Sequence, residues 1–289
     1  MPDKFTALWV SHSSISDFLK CPRAYYLKNV YKDPESGRKI QITSAPLSLG
    51  SAVHEVIEAL SEVPTQDRFK QSLLEKFEGV WKKYNGKIGG FSSTDHEEEY
   101  KQQGRDMIRK IMQNPGPLKN LSVKIKGDLP QYWLSEADEI ILCGKIDWLE
   151  YLPATDSVHV IDFKTSKSEE DKESLQLPIY HLLVKNTQKR KVDKASYWYL
   201  RLYDELQEKE LPNLADAHQT ILTIAKKMKT AKKLGVFKCP NGAAGCYACK
   251  PLEQVLKGEA EHIGVGSYNR DIYLLSNNST DLENESEII

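Results

Sequence analysis

The sequence of 289 residues lacks any apolar run long enough to cross a membrane, and its N-terminus lacks the basic and then apolar pattern of a signal peptide. No membrane partner and a cytoplasmic location are therefore expected. An excess of one charge is also missing, because 40 Lys and Arg stand against 41 Asp and Glu, for a net charge of −1. Nucleic-acid-binding domains often carry a basic excess, so this balance counts mildly against such a partner; an acidic metal site, however, would itself lower the sum.

Several well-known catalytic motifs are absent too. The chain has no Gly-x-Ser-x-Gly elbow, no Gly-x₄-Gly-Lys phosphate loop, no His-Glu-x-x-His helix and no Rossmann glycine fingerprint. It also has no obvious helicase or ATPase module. Any motor activity would have to come from a partner protein.

What is present is typical of a globular protein. Apolar residues make up 40% and charged residues 28%, and the length suits one or two domains. Helical patterns, then a series of strands, then a helix–strand–helix order predict a mixed α/β (α+β) fold. We predict a single domain over residues 1–275, with a helical insertion at 50–115 and a cysteine segment at 236–255. Residues 276–289 are polar and acidic and predict a disordered tail.

One predicted hairpin gathers charged side chains. Its first strand carries Gly144–Asp147, its second carries Val160–Lys164, and the turn is predicted at Pro153–Asp156. Centring the hairpin there places Asp147 opposite Asp162, and strand alternation returns Lys164 to the same face. Two carboxylates and an ammonium suit Mg²⁺ with a phosphate substrate. The lysine would orient or deprotonate a water or stabilise charge on the phosphate. The alternative is a structural ion pair of Lys164 with either aspartate.

Five short motifs occur along the chain in this order: Cys21-Pro22-Arg23, Gly50-x-x-x-His54, Gly144-x-x-Asp147, Asp162-x-Lys164 and Gln176-x-x-x-Tyr180. No single one is specific, but their order resembles that of the RecB-family branch of the PD-(D/E)XK nucleases. That branch includes the AddB nuclease domain and the CRISPR-associated iron–sulfur exonucleases. The resemblance runs from about Ser11 to Cys249.

The resemblance implies a PD-(D/E)XK, restriction-endonuclease-like core, with a central mixed sheet flanked by helices. It also implies a metal site for Mg²⁺ or Mn²⁺. Asp147 and Asp162 would ligate the ion, and His54 and the backbone carbonyl of Phe163 would complete its shell. From the residues alone, the favoured interpretation of His54 is an imidazole on a helix surface rather than a metal ligand.

The resemblance also assigns roles to three further side chains. Lys164 would position or activate the attacking water. Gln176 and Tyr180, one helical turn apart, would steady the active site or the DNA backbone. Taken by themselves, these two residues are ordinary members of an amphipathic helix.

Cysteines are few but unevenly spaced. Cys239, Cys246 and Cys249 fall within eleven residues, and Cys21 brings the count to four thiolates. Four thiolates suit either a [4Fe–4S] cluster or structural Zn²⁺, and the resemblance favours [4Fe–4S]. The chain departs from the pattern of the related nucleases, because here the lone cysteine precedes the Cys-x-x-Cys pair. Cys143 is expected to be a small core residue.

The function that follows is hydrolysis of phosphodiester bonds in DNA by a metal-dependent exonuclease acting on single-stranded ends. Recombinational repair with a helicase partner and CRISPR adaptation with an integrase partner are both compatible with the residues. The alternative is a non-catalytic DNA-binding or scaffolding module with the same fold. Four aromatic residues are candidates to guide a strand, although aromatic residues in strands are usually core: Tyr25, Tyr26, Trp198 and Tyr199.

Overall fold

The computed structural model describes residues 3–125 and 129–275, so the predicted tail at 276–289 lies outside the described residues. The α-helices are α1 His12–Lys20, α2 Pro22–Tyr25, α3 Ala45–Glu58, α4 Leu73–Trp81, α5 Thr94–Gln113, α6 Gln176–Thr187, α7 Leu214–Leu234 and α8 Lys250–Leu256. The strands are β1 Leu8–Val10, β2 Lys39–Ile42, β3 Gln131–Ser135, β4 Ile140–Cys143, β5 Trp148–Leu152, β6 Ser157–Lys164, β7 Val192–Tyr199, β8 Gln207–Lys209, β9 Ala260–Gly266 and β10 Arg270–Leu275. A π turn covers Tyr26–Val30, and 3₁₀ turns cover Ala59–Glu62, Thr65–Asp67, Lys82–Tyr84, Gly86–Gly89, Gly116–Lys119, Gly242–Ala244 and Ser267–Asn269.

The described residues divide into two compact units. The first contains residues 3–16, 50–80, 103–125 and 129–236, and the second contains 17–49, 81–102 and 237–275. The predicted helical stretch at 50–115 contains the end of α3 and all of α4 and α5. The single domain over 1–275 stays a prediction.

A four-stranded mixed sheet in the order β5-β6-β7-β8 lies in the first unit. Strand β6 is antiparallel to β5 and parallel to β7. Seven of its eight residues are buried, and only Lys164 is partly exposed, as expected for a central strand with apolar groups on both faces. Helix α6 packs against β6 and β7. The mixed sheet with flanking helices confirms the predicted fold class.

The predicted hairpin register is correct. Trp148 pairs with Ile161 and Leu152 with Ser157, and continuing this register by one residue sets Asp147 opposite Asp162. The turn between the strands covers residues 153–156, as predicted.

The predicted first strand of that hairpin is wrong in one respect. Gly144–Asp147 is not strand; it separates β4 from β5, which belong to different sheets. At the break, a side chain on Gly144 would place its Cβ 2.9 Å from Leu183 of α6, so glycine permits this close approach. The chain then leaves the β4 sheet, whose strand order is β1-β4-β3.

The second unit contains the sheet β2-β10-β9 together with α2 and α8. Helix α8 packs on all three strands. A buried cluster beneath it combines thiols and apolar side chains: Cys21, Ala24, Leu27, Ile40, Cys246, Cys249, Leu252 and Val255. The core of this unit is therefore built partly from cysteines.

The suggested strand-guiding aromatic residues are mostly core. Tyr25, Trp198 and Tyr199 are each no more than 3% exposed, and Tyr26 packs on Phe237 with ring centroids 5.0 Å apart. Stacking of bases on the three buried rings is excluded, because a base needs an open ring face. Among the described residues, no helix has both the length and the apolarity to cross a bilayer.

Candidate functional site

Every residue for which the sequence predicted a role at the metal site lines one cavity of about 430 Å³ in the first unit. The lining comprises His54, Asp147, Asp162, Phe163, Lys164, Thr165, Ser166, Glu170, Gln176 and Tyr180. Four different elements supply these side chains: helix α3, the segment before β5, strand β6 with the loop after it, and helix α6. The cavity therefore depends on long-range packing rather than on one local motif.

One side of the cavity is formed by helix α3 and the segment before β5. His54 Nδ1 lies 3.4 Å from Asp147 Oδ2 and 3.6 Å from Glu58 Oε1, one turn further along the helix. Asp147 Oδ2 also accepts a hydrogen bond from the backbone N–H of Phe163, at 3.0 Å. Glu58 pairs in addition with Lys145. Asp147 is thus held by His54 of helix α3 and by the backbone of strand β6.

The other side is a continuous polar network on β6 and α6. Lys164 Nζ lies 3.0 Å from Asp162 Oδ2 and donates a hydrogen bond to Gln176 Oε1. The Gln176 amide donates to Asp162 Oδ1 at 2.6 Å and to the Tyr180 hydroxyl at 3.2 Å. The structural ion pair considered from sequence therefore does form, between Lys164 and Asp162, inside the cavity.

Two carboxylates at the cavity had no role assigned from the sequence. Glu170 Oε2 lies 3.0 Å from Lys164 Nζ, and the Glu170 backbone N–H donates to the Tyr199 hydroxyl. Glu58 meets His54 and Asp147, and one ligand atom of each of these three lies within 4.8 Å of the others. The His54–Glu58 spacing of one turn was visible in the sequence, whereas nothing in the loop 165–175 marked Glu170.

Burial and mutual charge set the protonation of these groups. Burial acts to lower the pKa of His54, but the hydrogen bonds with Asp147 and Glu58 and the surrounding negative charge outweigh it and raise the pKa to about 10. Burial acts to raise the pKa of Asp147, yet the His54 hydrogen bond and charge bring it below the usual value. The positive charge on His54 thus offsets the negative charge of Asp147 on this side of the cavity.

The pKa of Asp147 is lowered and that of Asp162 is raised, as expected for two carboxylates that share one site. Burial raises the pKa of Asp162, and the Asp147 charge raises it further. Burial acts to lower the pKa of Lys164, but the charges of Asp162 and Glu170 prevail and raise it. Lys164 therefore keeps its proton at neutral pH and is a cation beside Asp162.

The donor set fits a divalent cation. Asp162 Oδ2 is buried and accepts no hydrogen bond among the described residues, although it forms an ion pair with Lys164 Nζ at 3.0 Å. The ion pair leaves lone pairs of this oxygen available, and a bound cation would use them. Carboxylates with one imidazole are suitable ligands for Mg²⁺ or Mn²⁺.

A second candidate site consists of four cysteines in the second unit. Cys21, Cys239, Cys246 and Cys249 each place a sulfur within 4.8 Å of the others. Cys249 Sγ lies 3.8 Å from Cys246 Sγ and 3.7 Å from Cys239 Sγ, far beyond the roughly 2.05 Å of a disulfide. All are free thiols, as is the buried Cys143 outside the group.

Three of the four clustered thiols are buried, and the pKa values of Cys21 and Cys246 are shifted in opposite directions. Cys21, Cys246 and Cys249 are buried, and Cys239 is partly exposed. Burial raises the pKa of the Cys21 thiol to about 12. For Cys246 burial acts in the same direction, but hydrogen bonds from the backbone of Cys249 and Ala248 outweigh it and lower the pKa to about 7. Four convergent sulfurs fit a four-thiolate metal centre, either Zn²⁺ or an iron–sulfur cluster.

A comparison with known proteins gives one family match for the chain. A family model described as the PD-(D/E)XK nuclease superfamily matches residues 9–251, well over half of the 289 residues. The matched range includes every residue that lines the cavity and all four clustered cysteines. No curated protein matches the chain significantly.

Proposed function

The chain belongs to the PD-(D/E)XK nuclease superfamily, whose members are typically metal-dependent nucleases, and we propose that it hydrolyses phosphodiester bonds in DNA with Mg²⁺ or Mn²⁺. The observation that carries the proposal is the convergence of Asp147, Asp162 and Lys164 with His54 in one cavity. Asp162 Oδ2 is buried there without a hydrogen-bond partner among the described residues. A binding module has no need of such a costly arrangement.

Each residue has a proposed role. Asp147, Asp162 and His54 hold the cation, with the Phe163 carbonyl as a further ligand, and we add Glu58 because it reaches the same group. A divalent cation held there would supply charge stabilisation at the phosphate and would make a nearby water easier to deprotonate. His54 must give up its proton to ligate a metal, so metal binding at this site releases protons.

On the other side of the cavity the proposed roles are electrostatic. The Lys164 ammonium, which keeps its proton at neutral pH, orients the water or stabilises charge developing on the phosphate. Gln176 holds both Lys164 and Asp162, and Tyr180 supports Gln176. Gln176 and Tyr180 thus fix the geometry in which the other groups act.

Several finer features of the proposal come from the motif order. We propose a RecB-like exonuclease that acts on single-stranded ends, in DNA repair and recombination or in CRISPR adaptation. We propose a helicase partner for the repair setting or an integrase partner for the CRISPR setting. The four cysteines are proposed to bind a [4Fe–4S] cluster, with Zn²⁺ as the alternative. Free thiols at such a site suit the reducing cytoplasm.

The decisive experiment is degradation of single-stranded DNA labelled at the 5′ or the 3′ end, with Mg²⁺ or Mn²⁺. Asp162→Ala should lower the rate by more than about 100-fold. Loss of a residue that only supports a metal ligand costs up to about 100-fold, and loss of a ligand itself should cost more. Asp156→Ala is the matched control, because it removes an exposed aspartate from the turn of the same hairpin. Asp156→Ala should be as active as the wild type.

The possible results separate the alternatives. Equal rates for Asp162→Ala and the wild type would refute the assigned active site. An inactive wild type with every divalent metal, bound to DNA nonetheless, would favour the non-catalytic module. Which labelled end is lost first reports the polarity, and release of internal fragments would replace the exonuclease by an endonuclease.

A further inference from the structure

We propose that the ion pair between Arg23 and Glu253 is a clamp that holds the four cysteine thiols in metal-binding geometry before a metal is bound. Both are then positioning residues of the cysteine site. The inference rests on the part of the proposed function that assigns a metal centre to these cysteines. It does not depend on whether the centre is iron–sulfur or zinc.

The clamp joins the two helices that carry ligand cysteines. Cys21 immediately precedes helix α2 and Cys249 immediately precedes helix α8. Arg23 lies in the first of these helices and Glu253 in the second, and Arg23 Nε donates to Glu253 Oε1 at 2.5 Å across 230 residues of sequence. The pair therefore fixes the distance between the two cysteine-bearing helix starts.

The other cysteines have local restraints of their own. The backbone N–H of Cys246 donates to Cys249 Sγ at 3.3 Å, and the N–H of Lys250 donates to the Cys246 carbonyl at 3.0 Å. This turn spaces Cys246 and Cys249 without help from elsewhere. Cys21 comes from the far end of the chain, so it is the ligand whose placement depends most on a long-range contact.

The Cys21 segment meets helix α8 through apolar packing as well as through the ion pair. Ala24 and Leu27 pack in the same buried cluster as Leu252, which brings the segments together. Such contacts are non-directional, whereas a charge-assisted bond from a planar guanidinium fixes orientation. Arg23 also lies over the Tyr26 ring, at 5.4 Å from its centroid, which limits the guanidinium further.

The ion pair also lines a cavity next to the thiols. Arg23 and Glu253 line a cavity of about 640 Å³ whose wall includes Cys239 and Cys249. Their side chains are 34% and 31% exposed, so the pair is partly screened by water. We therefore expect a moderate effect on affinity, of roughly 3- to 10-fold, rather than loss of the site.

The test uses the full-length metal-free protein and Co²⁺ as a probe of thiolate coordination. Co²⁺ affinity is measured against a competing chelator, and the visible spectrum reports how many thiolates bind. Arg23→Gln and Glu253→Gln should each weaken binding roughly 3- to 10-fold and speed Co²⁺ release. The double variant should be no weaker than either single one, because both remove the same interaction. The exchanged pair Arg23→Glu with Glu253→Arg should recover part of the loss.

A matched control is Lys87→Gln, which removes another ion pair of the second unit, with Glu261 at 2.8 Å. It should bind Co²⁺ as the wild type does. Metal-free thermal unfolding of every variant shows whether the fold is retained. A variant that keeps its melting temperature and loses affinity acts through positioning.

Two negative results are distinguishable. If both single variants bind and release Co²⁺ like the wild type, the clamp is refuted while the cysteine centre stands. If the wild type itself gives no four-thiolate spectrum, the cysteine centre and the clamp fail together. Neither result bears on the phosphodiesterase activity, which is assayed separately.

Discussion

Gln176 contacts three other polar side chains of the proposed active site. Its carbonyl accepts from Lys164, and its amide donates to Asp162 Oδ1 and to the Tyr180 hydroxyl. Asp162 and Lys164 also pair directly at 3.0 Å, and the Gln176 amide connects them a second time. Gln176 is therefore the residue where a neutral substitution should disturb both charged groups at once.

We predict that Gln176→Ala lowers phosphodiesterase activity by about 10- to 100-fold, the range for losing a partner that orients a metal ligand. The measurement is the initial rate of DNA degradation at saturating metal. Tyr180→Phe is the matched comparison, because it removes only one acceptor of the Gln176 amide. Its rate should fall less. If Tyr180→Phe were the more damaging change, Gln176 would not be the organising group.

The motif spacing identified most of the residues that meet at the cavity. Asp147, Asp162 and Lys164 followed from the hairpin register, which a central turn and strand alternation determine. Glu170 was not assigned a role, because its contact comes from an irregular loop, which has no periodic signal in a sequence. Glu58 lies one helical turn from His54, a spacing that the sequence does show, but its proximity to Asp147 depends on the fold.

At the scale of elements, a buried arginine joins three segments of the first unit. Arg68 is 3% exposed, and its guanidinium donates to the carbonyls of Leu60, Val63, Leu118 and Asn120. It also donates to Ser122 Oγ and lies 4.9 Å from the centroid of the Trp148 ring. It thereby satisfies carbonyls after helix α3 and around the 3₁₀ turn Gly116–Lys119. No carboxylate takes part in these bonds.

We predict that Arg68→Met lowers the free energy of unfolding by about 3 kcal/mol, because several buried carbonyls lose their donor. The expected fall in melting temperature is roughly 6–12 °C for a protein of this size. Thermal or denaturant unfolding measures it. Arg109→Met, at an arginine whose side chain is 46% exposed, is the control and should change stability by less than about 0.5 kcal/mol. A similar cost at both positions would mean that the carbonyl contacts of Arg68 are unimportant.

At the scale of the whole molecule, the cysteine site connects distant chain segments of the second unit. This unit is assembled from chain segments 17–49, 81–102 and 237–275, and the four thiols connect the first of these with the last. A metal bound there restricts the unfolded chain over more than two hundred residues. Metal binding at such a site contributes directly to folding.

We predict that Cys246→Ala lowers both metal content and the melting temperature, the latter by roughly 5 °C or more. Iron and zinc analysis and thermal unfolding of the purified protein measure the two effects. Cys143→Ala is the control for metal content, because Cys143 is a buried thiol outside the cluster and bonds to the Val10 carbonyl. It should retain the full metal load. A Cys246→Ala protein as stable as the wild type would disprove the structural role.

By itself the sequence determined the fold class and the hairpin register and predicted a set of candidate site residues, because each follows from local periodicity, turn chemistry or motif order. Only the tertiary structure decided that the segment 139–151 divides between two sheets, with Gly144 in contact distance of the Leu183 side chain of helix α6. It also brought Glu170 to the cavity, Glu58 to Asp147, Arg68 to its carbonyls and Arg23 to Glu253. These contacts join residues that are far apart in the chain or lie in irregular loops, and their energies depend on burial and orientation that no local pattern encodes.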